Sequence, residues 1–169
     1  MIQTRLFLDC EWADNRGSEL VSIALVSEDG AQRFYAEVNP LPDQPTDCVR
    51  YVVYPLLEHG YWAMPRAELT RHLHAFIAPL PKPRVIYDQR NDGALFRYAM
   101  DGFAEADADA LGPYCDVAQE LVSHDVLKAQ IERYFSEHPV ARGRRHHAMV
   151  DAEALRWACS ARALRVRVG

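Results

Sequence analysis

No apolar run in this chain comes near the roughly 20 residues that a membrane span requires. The first residues, Met1-Ile2-Gln3-Thr4-Arg5, lack the basic and apolar regions of a secretory signal and run straight into strand-like sequence. Together these absences predict a cytoplasmic protein. The four cysteines, Cys10, Cys48, Cys115 and Cys159, form no CxxC pair, which argues against a structural zinc site. Cys10 and Cys159 lie in apolar patterns and read as buried free thiols. There is no basic excess either. The net charge of −5 argues against a general coat for duplex nucleic acid, which usually carries a basic excess. No internal repeat or compositional break divides the chain. Its 169 residues suit one domain over 1–169, able to bury a core without staples.

What is present alternates between two periodicities. Period-two patterning predicts strands over Arg5–Glu11, Leu20–Val26, Ala31–Val38 and Arg84–Tyr87, the last parallel to the first. Glu28-Asp29-Gly30 makes the second and third a hairpin. Tyr114–Asp116 is a candidate final strand. Helical pieces are expected at Val49–His59, Arg66–Ile77, Ala94–Phe103, Val117–Val122, Leu127–Ser136 and Ala148–Leu164, with His138–Arg145 a loop. Three strands followed by alternating helices and strands predict an α/β fold, with a mixed β-sheet flanked by helices.

The chemistry sits in three places. Asp9 and Glu11 are two residues apart on the first strand, so their side chains share one face. Asp151 falls on the stripe Ala148, Asp151, Ala152, Leu155, Cys159 that should face the core, where an unpaired carboxylate is costly. A cation or metal would remove that cost. His146 converges on Asp151 more easily from the loop entering the helix than from the helix itself. In the middle, Asp92 has Leu95 and Phe96 three and four residues on, which turns it inward; Asp88, at a strand end, is the alternative. Hard cations such as Mg²⁺ or Mn²⁺ prefer carboxylate oxygens.

Asp9-Cys10-Glu11 with His146-x4-Asp151, and Ala148 and Ala152 flanking the helical Asp, resembles the DEDDh branch of the DEDD 3′→5′ exonucleases. Ribonuclease T, oligoribonuclease and polymerase proofreading domains belong to that branch. Glu19-Leu20-Val21-Ser22-Ile23 and the short length are similar to a small bacterial exoribonuclease subgroup. The resemblance runs from Asp9 to Asp151. It implies a ribonuclease H-like fold, two divalent metal ions and hydrolysis of single-stranded nucleic acid to nucleoside 5′-monophosphates, with RNA favoured over DNA. It also implies roles: Asp9 bridging both ions, Glu11 and Asp151 on the nucleophile-side ion, Asp92 on the other, and His146 as general base. Many relatives are homodimers. The segment around Asp88 and Asp92 departs from the family's commoner Asn-x-x-Phe-Asp form.

Trp12, next to Glu11, is either a base-stacking platform or an ordinary core residue. Arg142, Arg144 and Arg145 could neutralise substrate phosphates or form a solvated basic loop. Glu19 and Ser22 are candidates to support the site from the neighbouring strand. Two other readings stand beside the exonuclease. A phosphatase would ordinarily use Asp-x-Asp, whereas here the second acid of the first motif is Glu11, and no Lys motif or nucleophilic Asp pattern supports that reading. A binding domain with a decayed site would not keep all five functional positions.

Overall fold

A computed structural model describes residues 2–105 and 117–166. Six strands form one mixed sheet: β1 (Arg5–Trp12), β2 (Leu20–Ser27), β3 (Arg33–Val38), β4 (Ala63–Met64), β5 (Arg84–Tyr87) and β6 (Ala118–Leu121), in the order β4-β3-β2-β1-β5-β6. β1–β2 and β2–β3 pair antiparallel, whereas β1–β5, β5–β6 and β3–β4 pair parallel. The helices are α1 (Arg66–Ile77), α2 (Arg90–Met100), α3 (Asp125–Glu137), the single turn α4 (Pro139–Arg142) and α5 (Ala148–Val166). The α/β architecture expected from the sequence is the one observed, and it matches a ribonuclease H-like sheet. Among the described residues no helix is long and apolar enough to cross a membrane.

The alternation of β1 builds both cores at once. Leu6, Leu8 and Cys10 point to the side covered by α1 and α2, where they meet Leu69, Leu73 and Phe96. Phe7 points to the opposite side, against Ala148, Ala152 and Leu155 of α5. Because β2 is paired on both edges and covered on both faces, all eight of its residues are buried. The register lays Glu11, Ser22 and Glu37 in one row across β1, β2 and β3, and Asp9, Ala24 and Tyr35 in the next, all on the α5 side.

Several boundaries differ from the sequence expectation. Val117–Val122, expected helical, is the edge strand β6, because pairing with β5 and the Arg84–Glu120 ion pair override its helix-favouring Ala, Gln and Glu. Val49–His59 is not one helix but a series of short helical turns. Pro55 lacks an N–H there, and His59 turns left-handed at φ 56°. α2 begins at Arg90 rather than Ala94, which puts Asp92 inside its first turn. His138–Arg145 contains α4, started by Pro139. Cys159 is only partly buried, while Cys10 is buried as expected and Cys48 is exposed. Cys115 and the strand expected at Tyr114–Asp116 lie outside the described residues.

Candidate metal centre

The acidic residues meet where β5 parts from β1. The two strands pair only from Arg5↔Arg84 to Phe7↔Ile86. Beyond that point the chain after β5 turns into α2, and Asp92 Oδ1 accepts the Cys10 backbone N–H at 3.1 Å. An amide on the diverging edge of the sheet thus holds a helical carboxylate against Asp9. The turn after β1 packs onto the same place. Gly17 has φ 68°, and a Cβ there would fall 1.9 Å from Asn91 Nδ2. Gly93 lets α2 approach equally closely, since its Cβ would lie 2.3 Å from Tyr87 Cζ.

Asp151, in the first turn of α5, faces the row from β1. Its Oδ2 accepts the His146 backbone N–H at 3.1 Å. His146 has φ 74°, a left-handed conformation uncommon outside glycine. This bend places His146 in the loop entering α5, where it and Asp151 converge. Two groups result. Ligand atoms of Glu11, His146 and Asp151 lie within 4.8 Å of one another, and so do those of Asp9, Asp88 and Asp92.

Burial and mutual repulsion dominate the electrostatics. Asp9 is held well above the usual carboxyl range, first by desolvation and then by Asp92, Asp151, Glu11 and Asp88. Desolvation pushes Glu11 up to about 9, with Asp151 and Asp92 adding to it. Asp151 rises to about 7 through burial, even though the His146 N–H and Arg145 pull the other way. Asp92 and Asp88 are raised as well, again mainly by burial. Asp9 Oδ2, Asp92 Oδ2 and Asp151 Oδ1 are buried with no hydrogen-bond partner. Three orphaned oxygens among mutually repelling acids form a donor set suited to hard divalent cations. The residues therefore fit the metals that the resemblance implies.

A cavity of about 410 Å³ opens over these groups. Asp9, Glu11, Asp88, His146 and Asp151 line it, with Trp12 and Arg145 among its other walls. Trp12 lines this cavity and also packs against the core beneath. Arg145 is tied to Glu132 by bonds of 2.6 and 3.0 Å and lies over the Phe135 ring at 4.8 Å. Arg144 turns the other way, to Glu58 beside a different cavity, and Arg142 is exposed on α4. Ser22 is buried next to Glu11 in the sheet register. Glu19 helps shape the turn after β1, its N–H donating to Asp14 Oδ1 at 3.0 Å. Sequence reasoning missed Glu132 as the anchor of Arg145, and it missed the Cys10 amide that holds Asp92. Neither leaves a local sequence signal, since both depend on contacts between distant elements.

No family model matches the chain, and the search of curated proteins returns no match. The site therefore rests on its own geometry.

Proposed function

We propose that this protein is a metal-dependent 3′→5′ exonuclease of the DEDDh type. It removes nucleoside 5′-monophosphates from the 3′ end of single-stranded RNA. The observation that carries the reading is the convergence of three orphaned, buried carboxylate oxygens from β1, α2 and α5, beside an imidazole at the cavity wall. Asp9, Glu11, Asp92 and Asp151 would hold two Mg²⁺ or Mn²⁺ ions, with Asp88 beside Asp92. When bound, those ions supply the positive charge that stabilises the attacking and leaving oxygens of phosphodiester hydrolysis.

The chain's own groups do the rest. His146 presents a ring nitrogen within 4.8 Å of carboxylate oxygens of Glu11 and Asp151, and it takes the proton from the attacking water. The water oxygen bonds to phosphorus as the bond to the 3′ oxygen breaks, and that oxygen leaves on the shortened strand and is protonated from solvent. Partial burial, and then the Arg145 charge, lower the His146 pKa from its ordinary 6.5 and keep the imidazole neutral at pH 7. Trp12 offers the terminal base a sequence-tolerant stacking face. Arg145 stands at the cavity wall where its N–H groups can meet a substrate phosphate, although Glu132 already offsets its charge. A cytoplasmic homodimer accompanies the reading by resemblance.

The test uses 5′-labelled single-stranded RNA and DNA of one sequence with Mg²⁺ or Mn²⁺, alongside Asp151→Ala. A metal-dependent ladder shortening from the 3′ end, absent in the variant, is the expected result. The faster substrate assigns the sugar. Metal binding without cleavage of either strand would refute the exonuclease and favour a phosphatase-like reaction.

A further inference from the structure

A second cavity, of about 520 Å³, lies on the same face of the sheet, on the far side of the segment Arg144–His147. Consecutive residues divide between the two: Arg145 and His146 line the acidic cavity, Arg144 and His147 the second. Arg33 and Tyr35 of β3 form the floor, because they share the face of Asp9 in the sheet register. Trp62, 40% exposed, stands at one wall with its ring edge-on to Tyr35 at 5.8 Å. His147 stacks on Tyr35 at 4.7 Å and 17°. Its side chain is only 4% exposed; Nε2 lies 3.3 Å from Glu58 Oε1, and neither ring nitrogen has a hydrogen-bond partner.

The chemistry of this lining selects its ligand. Arg33 is paired with Glu153, and Arg144 with Glu58, so each guanidinium already has its carboxylate. Two arginines and two glutamates cancel, which leaves no net charge to attract a phosphate. An aromatic wall with an exposed indole and a buried, incompletely bonded imidazole suits a flat, neutral ring with hydrogen bonds along its edge. The volume fits one such group with its sugar. We propose that this cavity binds a nucleobase of the same strand whose 3′ end occupies the acidic site, with Trp62 as its stacking platform. This inference rests on the exonuclease reading for the identity of the strand, but not for the base site itself.

Free adenosine, guanosine, cytidine and uridine, which carry no phosphate, are titrated into metal-free protein in EDTA, and the indole N–H signals are followed by NMR. The expected result is a shift of the Trp62 signal with at least one nucleoside, weakened roughly tenfold in His147→Phe and unchanged in Asp151→Asn. Trp62→Ala, a change at a half-exposed position that should fold, removes the saturable shifts of neighbouring amides. With labelled single strands, Trp62→Ala raises KM rather than lowering kcat. Shifts confined to Trp12, no saturable shift up to solubility, or a concentration-dependent self-association that covers Trp62 would each overturn the proposal. Nucleoside binding at Trp62 without strand cleavage would keep the base site and remove the exonuclease; cleavage with KM unaffected by Trp62→Ala would do the reverse.

Discussion

Without metal, the acidic cluster works against the fold, and Asp151→Asn measures by how much. Asp151 moves from its ordinary 3.8 to about 7 on folding. Between those values the native state keeps a proton that the unfolded chain has lost. Stability from this group is therefore fully present below about pH 4 and is lost as pH rises through 7. Ionising it in place costs on the order of 4 kcal/mol at pH 8, an upper figure because Asp151 shares its field with Glu11 and Asp9. If half survives that sharing, about 2 kcal/mol, the melting temperature of a chain this size changes by about 4–8 °C. Asparagine keeps the side-chain oxygen that accepts the His146 N–H and removes the charge. In EDTA at pH 8, Asp151→Asn should melt several degrees above wild type. At pH 5 the gap should narrow to less than half, because native Asp151 is then protonated while the unfolded chain's is still ionised, and it should close only below about pH 4. Adding Mn²⁺ should invert the order, since a ligand at about 100 times its dissociation constant stabilises by about 2.7 kcal/mol and the variant has lost a carboxylate that would bind it. Thermal melts followed by circular dichroism at the two pH values, with and without metal, read all of this. An Asp151→Asn protein that melts at or below wild type in EDTA at pH 8 would refute the electrostatic argument.

Asp92→Asn should lower strand cleavage by roughly a hundredfold or more, and Asp88→Asn by clearly less, because only Asp92 is both fixed by the Cys10 amide and left with an orphaned oxygen. Single-turnover rates on one labelled RNA compare the two, and the opposite ranking would make Asp88 the ligand. The pH–rate profile should fall on the acidic side of 6.5, as the lowered pKa of His146 requires. Arg145→Ala removes a nearby positive charge and should move that limb to higher pH, and a limb that stays put in both Arg145→Ala and His146→Ala would rule out His146 as the base. Gly93→Ala should destabilise by about 1–3 kcal/mol despite alanine's better helix propensity, since its methyl would collide with the Tyr87 ring; urea denaturation without metal measures this.

The legible parts of the site were those written in short-range pattern. Asp9 and Glu11 share a face because strands alternate, and Asp151 faces inward because helices repeat near 3.6 residues. Asp92 could be preferred over Asp88 from the apolar pair that follows it, and the structure buries it to 1% exposure. The illegible parts depend on which elements become neighbours. β6 takes its form from the open edge of β5, not from its own Ala-Gln-Glu-Leu. Arg144 and Arg145 are chemically alike and adjacent, yet they face different cavities because Glu58 and Glu132 draw them apart. The start of α2 depends on Asp92 reaching Cys10, a contact between residues 82 apart in sequence.

The left-handed backbone at His146 sets a conflict between durability and chemistry. Glycine adopts that conformation without the side-chain clash, so His146→Gly should gain roughly 1 kcal/mol of stability while losing the proton acceptor. A library of variants selected only for heat resistance should therefore accumulate glycine at this position and drift towards inert proteins. Histidine should persist there only under selection that also demands turnover.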